Sequence, residues 1–170
     1  QLDVFNRYPH FDRIAIDDQD RIWIASTSVE TSEFQGIYSL NYNGTLDDFS
    51  DDQFIGPYIG LNSPQMLDLS WDPAGYIWAG SIDGAYYLNT NVQEISNQSF
   101  IPLYPLRDHQ VNSISIDPTG NKWFATTLGV KIVAPDLFTL KRTLTVDLPD
   151  RLPSMNVFAV GINPATGIAY

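Results

Sequence analysis

The chain has 170 residues, 44% hydrophobic and 13% aromatic, enough for one domain with a packed core and too apolar for a disordered segment. Nine Lys and Arg against 20 Asp and Glu leave a net charge of −11, which argues against a nucleic-acid backbone or an anionic membrane surface as partner. The absence of Cys excludes disulfides, thiolate metal sites and cysteine nucleophiles, and no apolar run approaches the roughly 20 residues that would insert into a bilayer.

In chain order, residues 1–10 carry "DVFNRYP", which reads as an outer strand ending a preceding structural unit. The opening Gln1-Leu2-Asp3 lacks the pattern of a secretory leader, so a targeting segment is expected upstream or already removed. Asp12–Asp17, Leu67–Asp72 and Asn112–Asp117 alternate large and small residues with period two, the signature of a strand. Each ends on an Asp and is followed by a turn, "DQD", "PAG" or "PTG". Proline presets φ at the first turn position, and Gly75 and Gly120 can take positive φ at the last. A second strand carries Trp23, Trp78 or Trp123, and a third begins at a glycine in "GIYSLN", "GAYYLN" and "GVKIVA". Outer strands follow in "QFIGPYI", "SFIPLYP" and "LKRTLTV".

These elements are copies of one unit. "RIAIDDQDRIWIAS", "DLSWDPAGYIWAGS" and "SISIDPTGNKWFAT" align without a gap, so that Asp17, Asp72 and Asp117 coincide, and so do the tryptophans six residues later. A fourth copy, "AVGINPATGIAY", has Asn163 for the Asp and Tyr170 for the Trp. Once a seven-residue insertion in "TSVETSEFQG" is removed, the period is about 45–48 residues, the length of a four-stranded propeller blade. The expected fold is all-β: one β-propeller segment with blades over about 11–60, 66–105 and 111–147 and a partial blade over 157–170. Three blades do not close a ring, so the remaining blades of a longer chain are an expected partner of this one. The isolated segment is then expected to expose an apolar sheet face at either end and to self-associate.

The pattern running Val111-Asn112-Ser113-Ile114 to Asp117, Gly120, Trp123, Thr126 and Gly129 resembles the two-component regulator propeller repeat. The second copy departs from it with Ser81 for Thr, and the first with Asp20 for the turn glycine and the insertion before Gly36. The resemblance implies an exported bacterial propeller, periplasmic or at the cell surface, that recognises a partner. Proteins with this repeat include sensor regions of hybrid two-component systems, which respond to saccharides. Similar repeats occur in a surface protein associated with type IX secretion.

The recurring Asp and Trp are expected to serve the fold: the carboxylates as turn caps, the indoles as packing between blades. "DDQD" and "LDDFSDD" lack calcium-loop spacing, and His10 and His109 lack a metal-binding partner spacing. No cofactor, metal or catalytic motif is read, and the chain is expected not to be an enzyme. Recognition of a saccharide or a protein is expected instead in loops that do not repeat. These lie before strands Met66 and Val111 and supply Asn62, Gln65, Arg107, His109, Gln110 and Asn112 as candidate ligand-binding residues; "RLPSMNV" and the insertion after Ser26 lie at the same end. The alternatives are a lyase- or lactonase-like propeller enzyme and a purely architectural segment.

Overall fold

The computed structural model describes residues 11–26, 35–45, 47–63, 65–147, 149 and 151–170. It contains three four-stranded antiparallel sheets, each a meander in sequence order. The first blade is β1 (Phe11–Ile16), β2 (Ile22–Ser26), β3 (Gly36–Asn41) and β4 (Gln53–Ile55). The second is β5 (Met66–Asp72), β6 (Tyr76–Ser81), β7 (Gly84–Asn89) and β8 (Ile101–Pro102), and the third β9 (Val111–Ile116), β10 (Lys122–Thr126), β11 (Gly129–Val133) and β12 (Leu140–Leu144). We call the four strand positions of a blade A to D. Among the described residues helix is confined to two single turns of 3-10 helix, Ile95–Asn97 and Tyr104–Leu106. The expected outer strand in residues 1–10 lies outside the described residues, as does most of the insertion after Ser26.

The outer strands β4 and β8 are shorter than the sequence pattern predicts. Each stops near a proline, Pro57 and Pro102, which has no N–H to offer a ladder. The fourth copy forms a single bridge, Ile162 with Ala169, and Asn163 Oδ1 accepts the amide N–H groups of Ala165 and Thr166.

Each repeated Asp does two things at once. Its Oδ1 caps the A–B turn: Asp17 accepts the amides of Gln19 and Arg21, Asp72 that of Ala74, and Asp117 those of Thr119 and Asn121. Its Oδ2 accepts the indole N–H of the tryptophan six residues on, at 2.9 Å in the first blade, 3.2 Å in the second and 3.0 Å in the third. The turn itself needs positive φ, supplied by Gly75 at 88° and Gly120 at 80°; the first blade, lacking the glycine, places Asp20 at 58°.

The tryptophans pack between blades. Trp23 and Trp78 are fully buried. Trp23 lies in a core with Leu69, Ile77 and Leu88 of the second blade, and Trp78 in one with Ile114, Phe124 and Val133 of the third. Trp123 is only half-buried. The complementary face is the large column of strand A: Leu69 and Ile114 are buried against the preceding blade, whereas the equivalent Ile14 is 65% exposed and Ile16 58%. Small residues let the A strands approach one another, and two of them also bond across: Ser70 Oγ donates to the carbonyl of Ile114 and Ser115 Oγ to that of Val160.

The second Oδ2 donor differs from blade to blade. Asp17 takes the Arg21 Nε at 2.7 Å and Asp117 the Asn121 side-chain amide, both from the residue two before the tryptophan. In the second blade that residue is Tyr76, which offers nothing to Asp72. Lys122 of the third blade supplies the missing charge, with its Nζ 2.9 Å from Asp72 Oδ2 and both side chains at most 2% exposed. Lys122 occupies the position of Ile22 and Ile77 in the other blades.

Candidate functional site

An antiparallel meander puts the loops from D to the next A, and the B–C turns, at one end of the blades. The backbone hydrogen bonds show how tightly these segments are held. The second B–C turn, residues 81–84, sits between the two loops that carry most of the candidate residues: Ile82 N–H donates to the carbonyl of Gln65, and Asp108 N–H to that of Asp83. The third is held likewise, with Thr127 N–H on the carbonyl of Gln110, and Val157 N–H on that of Thr126. Loops anchored at several points make a firm surface for recognition.

The six candidate residues divide into two groups. Asn62 and Gln65 are exposed on one side of the second B–C turn, and Arg107 is exposed on the other, beside a half-buried His109 whose Nδ1 lies 2.8 Å from the carbonyl of Arg107. Arg107 makes no ion pair among the described residues. Gln110 and Asn112 are already occupied. Gln110 Nε2 donates to Asn112 Oδ1 at 2.8 Å, and Asn112 Nδ2 donates to the carbonyl of Val157 at 2.8 Å. Asn112 can reach because it is the bulged residue of strand A: the A–B register skips it, just as it skips Asp12 and Leu67 in the earlier blades. These two side chains tie the third blade to the segment after it.

Between the two groups lies a polar cluster that sequence reasoning missed. Asp83 Oδ2 accepts the Tyr86 hydroxyl at 3.0 Å, and Ser81 Oγ donates to Asp83 Oδ1. The Tyr86 hydroxyl in turn accepts the amide N–H of Asn62. Burial pushes the Tyr86 phenol up, and the neighbouring Asp83 adds to the effect. The tips of this end are apolar: Ile82 is 42% exposed, Leu128 49% and Tyr104 82%. An apolar residue in each of two B–C turns, Ile82 and Leu128, where turn chemistry favours polar ones, was a readable signal.

Nearer the inner strands, Asp68 is built into the contact between the A strands of the second and third blades. It accepts the backbone amide of Ile114 at 2.7 Å and that of Leu69, with Arg13 at 3.9 Å. Burial raises its pKa, against the lowering effect of those amides and of Arg13. Among the described residues no group of three His, Asp or Glu is gathered closely enough to hold a metal ion.

No family model matches the chain, and no curated protein matches it in sequence. Solved structures do match in fold. PorZ, an essential surface component of the type IX secretion system of Porphyromonas gingivalis, aligns with a TM-score of 0.78 at 19% identity, over 95% of this chain and 24% of PorZ. The extracellular domain of BT4673 from B. thetaiotaomicron, described as a hybrid two-component system, aligns at 0.66 and 12% identity, over 90% of this chain and 19% of that domain. A protein named as a gluconolactonase aligns at 0.54 and 14% identity, over 88% of this chain and 50% of its own length. The chain has the propeller fold, and both kinds of protein brought to mind by the repeat are among its structural neighbours. It spans about a quarter or less of the first two.

Proposed function

We propose that the chain is a non-catalytic recognition segment of an exported bacterial β-propeller, and that its D–A and B–C end receives a protein partner. The carrying observation is the composition of that end: Ile82, Tyr104 and Leu128 stand exposed at the same end as Arg107, which makes no ion pair among the described residues, on turns anchored to the sheets. Exposed aromatic and apolar side chains beside an Arg are what protein interfaces concentrate.

Three further observations support the reading. Two of the solved structures with this fold are an extracellular domain and a surface component of bacterial proteins, and the chain matches a fraction of their length. Ile14 and Ile16 present the face that other blades of this chain cover with a tryptophan-bearing sheet, so a further blade fits there. The polar groups that an enzymatic propeller would aim inward, Asp68 and Asn112, are spent on hydrogen bonds to the backbone of neighbouring segments, at Ile114 and Val157.

The test is retention of envelope proteins from the source bacterium by the full chain, compared with an Ile82→Ser/Tyr104→Ser/Arg107→Ala variant. A specific partner retained by the wild type and weakened about 30-fold or more in the variant supports the proposal, the effect of losing one hot spot. Equal retention by both proteins overturns it.

A further inference from the structure

The residue just before each blade tryptophan faces the preceding blade. It is Ile22, Ile77 or Lys122 and, before Tyr170 in the fourth copy, Ala169. Cross-strand pairing puts all four in one place, opposite the last large residue of strand A: Ile16 with Ile22, Trp71 with Ile77, Ile116 with Lys122, and Ile162 with Ala169. What this residue meets is the Asp–Trp unit of the blade before. Lys122 lies on Asp72 with its Nζ 5.8 Å from the centre of the Trp78 ring, and Ile77 is fully buried in the core that holds Trp23.

The chemistry of this residue follows that of the preceding blade. Where the residue two before the tryptophan gives the capping Asp a second side-chain donor, the next blade presents an apolar side chain. Arg21 donates to Asp17, and Ile77 follows; Asn121 donates to Asp117, and Ala169 follows. Where that residue gives none, as at Tyr76, the next blade presents Lys122. The cause is the cost of an unmatched polar group between two packed sheets. A buried carboxylate short of a donor needs one from across the contact, and a lysine brought to an Asp that already holds a guanidinium finds no free anion. The first blade presents this same face. Ile14 is 65% exposed and Ile16 58%, and their cross-strand partners Ile24 and Ile22 are half-buried, whereas Ile77 and Lys122 of the later blades are at most 1% exposed. The face continues the two interfaces already formed within the chain, and at the position of Lys122 it carries Ile22.

We propose that the β1–β2 face receives a preceding blade of one kind: a tryptophan-bearing sheet whose capping Asp is supplied from within, by an Arg or Asn two residues before the tryptophan. A blade like the second, with Tyr76 at that position, is excluded, because its Asp would be buried against Ile22 one donor short. The residue before the tryptophan therefore decides which blade can precede which, over and above the apolar fit common to all. The inference rests on the contacts between blades and is independent of the protein-binding end.

The experiment inserts a copy of residues 66–110 between His10 and Phe11 of the full chain, which keeps the spacing that separates the second and third blades. The copy carries either its own Tyr76 or Tyr76→Arg, and each version is placed ahead of the native Ile22 and ahead of Ile22→Lys. Hydrogen exchange of the β1–β2 amides reads docking. Exchange slowed about tenfold or more, relative to the chain without the insertion, is expected for the Tyr76→Arg copy with native Ile22 and for the unchanged copy with Ile22→Lys. The two crossed combinations should leave exchange unslowed. Equal protection in all four proteins, protection in none, or protection in the crossed pair overturns the proposal. Should the extended proteins fail to fold, the chain itself makes the same comparison. Lys122→Ile should raise the unfolded fraction about 100-fold in the wild type and less than about tenfold in a Tyr76→Arg background. An equal rise in both backgrounds overturns the proposal.

Discussion

Replacing Lys122 by Ile inserts the residue that the first two blades carry at this position, Ile22 and Ile77, yet it should destabilise the protein. Lys122 and Asp72 are at most 2% exposed and 2.9 Å apart. Removing one partner of a buried pair costs about 3–5 kcal/mol, because the other charge stays behind unpaired. Asp72 keeps the Trp78 indole at 3.2 Å and the Ala74 amide at 2.9 Å, so the cost should fall at the lower end, about 3 kcal/mol. Converting Asp72 to Asn in the same protein removes the stranded charge and keeps the turn cap, as Asn163 does in the fourth copy. The double variant should recover about 1–2 kcal/mol of the loss, since replacing a whole buried pair is far cheaper than breaking it. Urea midpoints of the wild type, the two single variants and the double variant close the cycle. A Lys122→Ile loss below about 0.5 kcal/mol, the size of an ordinary surface change, would refute the reasoning, as would strict additivity in the double variant.

Two other outcomes concern the blade contacts and one the carboxylates. Trp78→Ala should cost about 3–5 kcal/mol, the toll of emptying a fully buried aromatic site, and Trp123→Ala clearly less, because Trp123 is half-buried; denaturant melts of the pair test the order. The exposed column of β1 should drive self-association of the isolated chain, and Ile14→Ser/Ile16→Ser should reduce it, as read by light scattering. For Asp17 and Asp117 burial pushes the carboxyls up, but hydrogen bonds from Trp23 and Arg21, and from Trp123, Asn121 and Thr119, outweigh it and hold both below the usual range. A depressed folded pKa contributes stability that is complete above the unfolded value of about 3.9 and is lost as pH falls through the folded one. Stability should therefore drop below about pH 4, with a shallower acid limb in Asp117→Asn. Asp68 works in the opposite sense, since its raised pKa means the native state holds that proton more firmly.

The blade plan was legible because the physical demands of a blade recur. A turn needs a cap and a positive φ, a strand needs alternation, and an A strand near its neighbours needs small residues. The six-residue interval between Asp and Trp was visible as a coincidence, yet its cause, an indole donating to the far oxygen of the capping carboxylate, required coordinates. The outer strands were overestimated because Pro57 and Pro102 lack the N–H a continuous ladder needs, so pairing past them is reduced to single bonds, Tyr58 N–H to the carbonyl of Ile37 and Leu103 N–H to that of Ala85. At the candidate site, chain order placed Asn62, Gln65, Arg107 and His109 at one end of the blades. It could not show that Gln110 and Asn112 are bonded to each other and to Val157, since those partners come from the following segment and depend on a bulge.

The central claim, that each repeated Asp–Trp pair is one hydrogen-bonded structural unit, is tested most directly by the indole region of a ¹H–¹⁵N spectrum. The chain has four tryptophans. Trp23, Trp78 and Trp123 donate to carboxylates, whereas the buried Trp71 Nε1 has no hydrogen-bond partner among the described residues. Three indole N–H signals should lie downfield of the fourth, and Asp72→Asn should displace the Trp78 signal far more than the other two. Four indistinguishable indoles, or a Trp78 signal indifferent to Asp72→Asn, would contradict the account.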